Sequence, residues 1–242
     1  MWDLLNQVTW KPVCSGKSTI VWSSLKFKVL SLFHVLNGWI STLKPSADYA
    51  TDKTMELHPL QIHINEIVSL TNEEFEYVLT HFVAINKRKN QFIVQADDVV
   101  NKEFWVIQGC LKSYFTDNAG KEHILQFALE NWWVTDYDAF TNQSKAKISV
   151  DCLEDCQLLY ITYENREKLS REMHQMEKFW ARKTKLGYIA LQNRILSLLK
   201  NTAKERYDLL FHQYPQLFQR VPKKMIAAYL GVSRETLSRL DV

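Results

Sequence analysis

Glycine and proline are scarce here, six and five in 242 residues. No glycine-rich loop stands ready to cradle a phosphate. His-Glu-x-x-His and Gly-x-Ser-x-Gly are also missing, so the commonest nucleotide-hydrolysing, metalloprotease and esterase chemistries have no residues to run on. The chain reads as a non-enzyme, and Asp136 and Asp138 as rim or solvent carboxylates. Four cysteines (Cys14, Cys110, Cys152 and Cys156) contain no Cys-x-x-Cys pair. Too few and too irregularly spaced for a disulfide framework or a metal site, they read as reduced thiols of a cytoplasmic protein. Long apolar runs are lacking too. The patchy stretch 20–43 is broken by Lys26, Lys28, His34 and Asn37, well short of the ~20 residues of a membrane span. It lies late in the chain and lacks a small-residue cleavage site, a poor fit to a signal peptide.

What is present concentrates at the other end. Residues 221–240 read VPKKMIAAYLGVSRETLSRL. Ile226, Ala227 and Leu230 share one helical face. Gly231 then supplies the left-handed residue of a turn, and Val232 plugs it. Ser233 sits at an N-cap position, followed by a second helix with Leu237 and Leu240 inward. Arg234, Glu235, Ser238 and Arg239 are left outward. This is the spacing of a helix-turn-helix. Its outward set suits base edges: arginine can fork onto guanine O6 and N7, and glutamate can accept from cytosine N4. Ser233, Thr236, Lys223 and Lys224 are candidate phosphate contacts.

Charge divides in the same sense. Residues 178–242 hold 13 Lys and Arg against 4 Asp and Glu, whereas 1–177 hold 17 against 23. A basic end behind an acidic body is the asymmetry expected of a chain that meets nucleic acid at one end.

In chain order, 1–54 forms an extension of unknown role with four of the eight tryptophans, an amphipathic pattern over 25–36 and a linker at 45–54. Thr71 or Asn72 can cap a helix to about His81, with Glu73, Glu74 and Glu76 near its positive end. Short β-rich runs follow at 83–89, 91–95, 103–108, 111–116, 123–128, 147–151 and 157–162. Asp117-Asn118-Ala119-Gly120 makes a hairpin loop between two of them. So many short strands predict an antiparallel jelly roll. After a short helix over 165–172, the stretch 175–202 holds no proline. Its apolar spacing predicts a helix of about 28 residues, roughly 40 Å long, whose expected partner is its own copy. A helix over 204–212 precedes the helix-turn-helix. The expected fold is α+β: an extension (1–54), a β-roll effector domain (55–172), a dimerisation helix (173–202) and a helix-turn-helix domain (203–242).

This order resembles the Crp–Fnr superfamily of bacterial transcription regulators, most specifically through Ser233-Arg234-Glu235-Thr236-Leu237-Ser238-Arg239 and over about 57–240. The resemblance implies that Arg234, Glu235 and Arg239 read bases in double-stranded DNA. It also implies a homodimer and RNA polymerase as a partner. Members that bind cyclic AMP carry Gly-Glu for the ribose and Arg-Ser/Thr-Ala for the cyclic phosphate. Here Thr135-Asp136 and Lys145-Ala146-Lys147 stand near those places, with Trp133 beside them and Trp132 and Phe140 as aromatic bounds. A phosphate facing Asp136 without an arginine would be costly to bury, so cyclic AMP is disfavoured and the effector is unknown. An iron–sulfur cluster is not expected, because Cys14 is the lone N-terminal cysteine. His58, His63, His81 and His123 are scattered, and haem is left open. The competing reading is a ligand-binding or scaffolding module whose C-terminal hairpin does not read DNA.

Overall fold

The computed structural model describes residues 57–240. The extension 1–54, with its amphipathic pattern at 25–36, lies outside them. The described chain opens with two helices, α1 (Pro59–Asn65) and α2 (Asn72–Leu79). Pro59 starts α1 because the first turn needs no N–H from it. Thr71 caps α2 in a reciprocal box with Glu74, which together satisfy two otherwise orphaned donors.

Eight strands follow: β1 (Phe82–Lys87), β2 (Phe92–Val94), β3 (Lys102–Gln108), β4 (Leu111–Thr116), β5 (Glu122–Ala128), β6 (Trp133–Val134), β7 (Ser149–Cys152) and β8 (Cys156–Thr162). They form two four-stranded sheets, ordered β1-β8-β3-β6 and β2-β7-β4-β5, and the pairs are antiparallel. The predicted strands are present, with ends displaced by at most two residues. The β4–β5 turn is the expected loop: Asp117 Oδ1 accepts from Ala119 and Lys121 N–H. β6 and a short helix between β6 and β7, α3 (Tyr137–Asn142), were not anticipated.

Alternation along the strands sends side chains to two different cores. Phe104, Val106, Val134, Leu158 and Val150 fill the space between the sheets, with Phe140 and Ala146. Trp105, Trp133, Leu159 and Ile161 point the other way, under α1, α2 and the first turns of the long helix. That helix is reached through α4 (Tyr163–Glu172), capped by Thr162.

The long helix α5 (His174–Lys200) has 27 residues, about 40 Å at 1.5 Å per residue. Met176, Phe179 and Trp180 are buried against the roll. Beyond them Tyr188, Leu191, Ile195 and Leu199 lie exposed at helical spacing. The C-terminal part holds α6 (Ala203–Gln213), α7 (Leu217–Arg220), α8 (Lys223–Leu230) and α9 (Arg234–Leu240). No described helix is long and apolar enough to cross a membrane.

Candidate functional site

The turn between α8 and α9 is built as its residues dictate. Gly231 has φ +68° and ends α8 in the left-handed region. Val232 N–H reaches back to the Ala227 carbonyl at 3.0 Å, closing the last turn. Ser233 Oγ accepts from Thr236 N–H at 3.1 Å and lies 3.2 Å from Thr236 Oγ1. Ile226, Ala227, Leu230 and Leu237 are buried together with Tyr207, Leu210 and Leu217. Arg206 fixes α6 to this unit, its Nε donating to the Leu230 carbonyl at 2.9 Å.

With Leu237 turned inward, α9 presents its other side to solvent. Arg234, Glu235, Ser238 and Arg239 are all exposed and together line one open surface groove. The flanking guanidiniums help hold the Glu235 carboxyl below the usual carboxylate range, after backbone and Ser233 hydrogen bonds. It is an acceptor between two forks of donors. Lys223 and Lys224 lie exposed in the first turn of α8. Thr236 is half-buried and Ser233 exposed, both engaged in the cap.

The roll candidates are arranged differently. Asp136 is buried and caps α3: its Oδ1 accepts from Ala139 N–H at 3.1 Å, and its Oδ2 from Lys147 and Ile148 N–H at 2.8 and 3.3 Å. The carboxylate therefore occupies the place where backbone donors converge. Thr135 is buried, donating to the Lys102 carbonyl at 2.8 Å. Trp133 belongs to the helix-covered core, where its Nε1 donates to His63 Nε2 at 3.3 Å. Phe140 and Ala146 help fill the space between the sheets. Trp132 packs edge-on to Tyr214 at 5.1 Å. Lys145 is exposed, and Lys147 is exposed and paired with Asp138 at 2.6 Å. Three backbone donors are thus taken by the chain's own carboxylate, and both lysines lie on the surface.

The histidines are likewise committed locally. His58 Nδ1 caps α1, His81 Nδ1 contacts the Tyr77 carbonyl and His123 meets Asp117. Among the described residues, no group of three or more His, Cys, Asp or Glu is placed to hold a metal ion. Cys110, Cys152 and Cys156 are buried free thiols.

Two arginines missing from the sequence reading join the C-terminal helices to the roll. Arg220, at the end of α7, makes a two-pronged pair with Glu130, both distances 2.8 Å, and also binds Glu154. Arg194 of α5 donates to the carbonyls of Ile124 on β5 and Tyr229 on α8, at 3.1 and 3.0 Å. Partners 35 to 90 residues apart in sequence leave no local pattern by which either could be found.

Residues 85–172 match the cyclic nucleotide-binding domain family. The chain is 26% identical over 164 residues to the anaerobic regulatory protein of Haemophilus influenzae, covering 63% of each protein. It thus spans less than two thirds of that relative's length. It is 23% identical over 196 residues to the cAMP-activated global transcriptional regulator CRP of the same species, covering 73% of this chain and 87% of the relative. Among solved structures, FixK2 from Bradyrhizobium japonicum aligns with TM-score 0.56 and 21% identity over 66% of this chain and 82% of that one. The c-di-GMP responsive global regulator CLP of Xanthomonas campestris aligns with TM-score 0.57 and 16% identity over 69% and 87%.

Proposed function

We propose that the chain, which shares its fold with solved regulators such as FixK2, belongs to the Crp–Fnr superfamily and is a homodimeric, sequence-specific DNA-binding transcription regulator. One observation carries the reading: α9 buries Leu237 and leaves Arg234, Glu235, Ser238 and Arg239 exposed along one groove. Arg234, Glu235 and Arg239 read base edges in the major groove, with Ser238 alongside them. Lys223, Lys224, Ser233 and Thr236 meet phosphates and set register. The relatives named above are regulators by name, which supports the same role.

In this reading 173–202 is the dimerisation helix. Its exposed row of Tyr188, Leu191, Ile195 and Leu199 is apolar surface of the kind a second α5 would cover. Two α9 helices related by a twofold axis would enter successive major grooves about 34 Å apart and select a near-palindromic site. RNA polymerase is the expected partner at the promoter. The roll, 55–172, serves as the control domain, and any effector it takes is a molecule other than cyclic AMP, because Asp136 already fills its backbone donors.

Selection of bound duplexes from a randomised pool tests the assignment. Arg234→Ala and Arg239→Ala are each expected to cost about 1–3 kcal/mol at the selected site and to relax base preference. Binding and preference both unchanged would overturn it.

A further inference from the structure

The C-terminal helices do not hang from α5 alone. Cys110, Tyr114, Ile124, Phe127, Leu129 and Leu153 of the roll share one buried apolar cluster with the core of α6 to α9. β5 is the edge of its sheet, and α8 packs along it. Covering an edge strand in this way removes its free pairing groups from solvent.

At one end of this seam Arg220 sits between two carboxylates. Glu130 lies in the turn between β5 and β6, and Glu154 in the turn between β7 and β8. Glu130 is itself fixed, because its Oε1 accepts Gly109 N–H at 2.9 Å. Gly109 has φ +122°, and a Cβ there would lie 2.4 Å from Cys156 Sγ and 3.0 Å from Cys156 Cα. The corner that orients Glu130 is therefore tightly constrained. At the other end Arg194 lies over the Tyr229 ring, 3.5 Å from its centroid, while bonding carbonyls of β5 and α8. Isolated surface ion pairs contribute little. A forked guanidinium shared by two carboxylates, one of them anchored by a backbone donor, is the geometry in which such a pair does hold an orientation.

We propose that Arg220, clasped by Glu130 and Glu154, is a positioning residue for DNA recognition. Seconded by Arg194, it holds the helix-turn-helix in one pose on the roll of its own subunit. In that pose all four outward residues of α9 are exposed. The proposal rests on the DNA-binding reading above, although the clasp can be judged without DNA.

The test uses the full chain carrying Arg220→Gln, Glu154→Gln or Arg220→Lys, with circular dichroism to check folding. Hydrogen exchange of β4, β5 and α8 reports the seam, and that of β1, β3 and β8 serves as internal reference. Arg220→Gln is expected to speed exchange along the seam about tenfold and leave the reference unchanged. It should also weaken binding to the selected operator about tenfold, while non-specific binding to mixed duplex at low salt stays as it was. Arg220→Lys, a point charge without the fork, should recover part of both effects, and Glu154→Gln should show a smaller loss. Seam exchange unchanged in Arg220→Gln would overturn the clasp. Seam exchange raised with operator affinity unchanged would overturn the positioning role. A wild-type chain that binds no duplex would sink the regulator reading, and the exchange result would still decide the clasp.

Discussion

At the scale of single residues, His63 shows how burial sets a charge state. Desolvation, reinforced by Lys183, lowers its pKa to about 4. Trp133 Nε1 can only donate, so His63 Nε2 must accept, and the ring is neutral with its proton on Nδ1. The Glu66 carboxylate 3.6 Å away therefore faces an uncharged imidazole at neutral pH. Between pH 6.5 and about 4 the unfolded chain binds a proton here that the folded chain refuses, so stability falls as pH falls through that window. The full loss, reached below about pH 4, is roughly 3 kcal/mol. Urea unfolding against pH should show it for the wild type, and the same component should vanish in His63→Phe. Residues also mark where sequence reading stops. Asp136 reads as a charge repelling a phosphate because a six-residue helix carries too little periodicity to announce itself, yet it is that helix's cap. Trp133 reads as a pocket wall, but its pairing with Trp105 puts it on the helix-covered face, and register across strands is not written in either strand alone.

Elements were legible in proportion to their length and their signals. The helix-turn-helix could be read because a glycine corner, a serine cap and spaced leucines agree. The β4–β5 hairpin could be read from its turn residues. The long helix could be read from 27 residues of consistent spacing. α1, α3, α7 and β6, with seven, six, four and two residues, could not, since their positions are fixed by tertiary packing. The division of labour along α5 yields the next expectation. Its first turns are spent on the roll, so Ile195 and its apolar neighbours are free to serve association. Ile195→Lys should weaken the dimer at least tenfold in sedimentation equilibrium, by roughly 1.4 kcal/mol or more, without altering circular dichroism of the roll strands.

For the molecule as a whole, charge is partitioned as the proposed labour requires: an acidic body and a basic end. Duplex binding should therefore weaken steeply with salt, log affinity falling by about 0.9 per phosphate neutralised. Lys224→Gln removes one such contact per subunit and should flatten the slope by roughly 2 in a dimer, with base preference intact. Filter binding across a salt series measures both. The bare leucines on the far half of α5 carry a further consequence. In the proposed dimer a second α5 would cover them, so the apparent stability of each subunit would rise with its concentration.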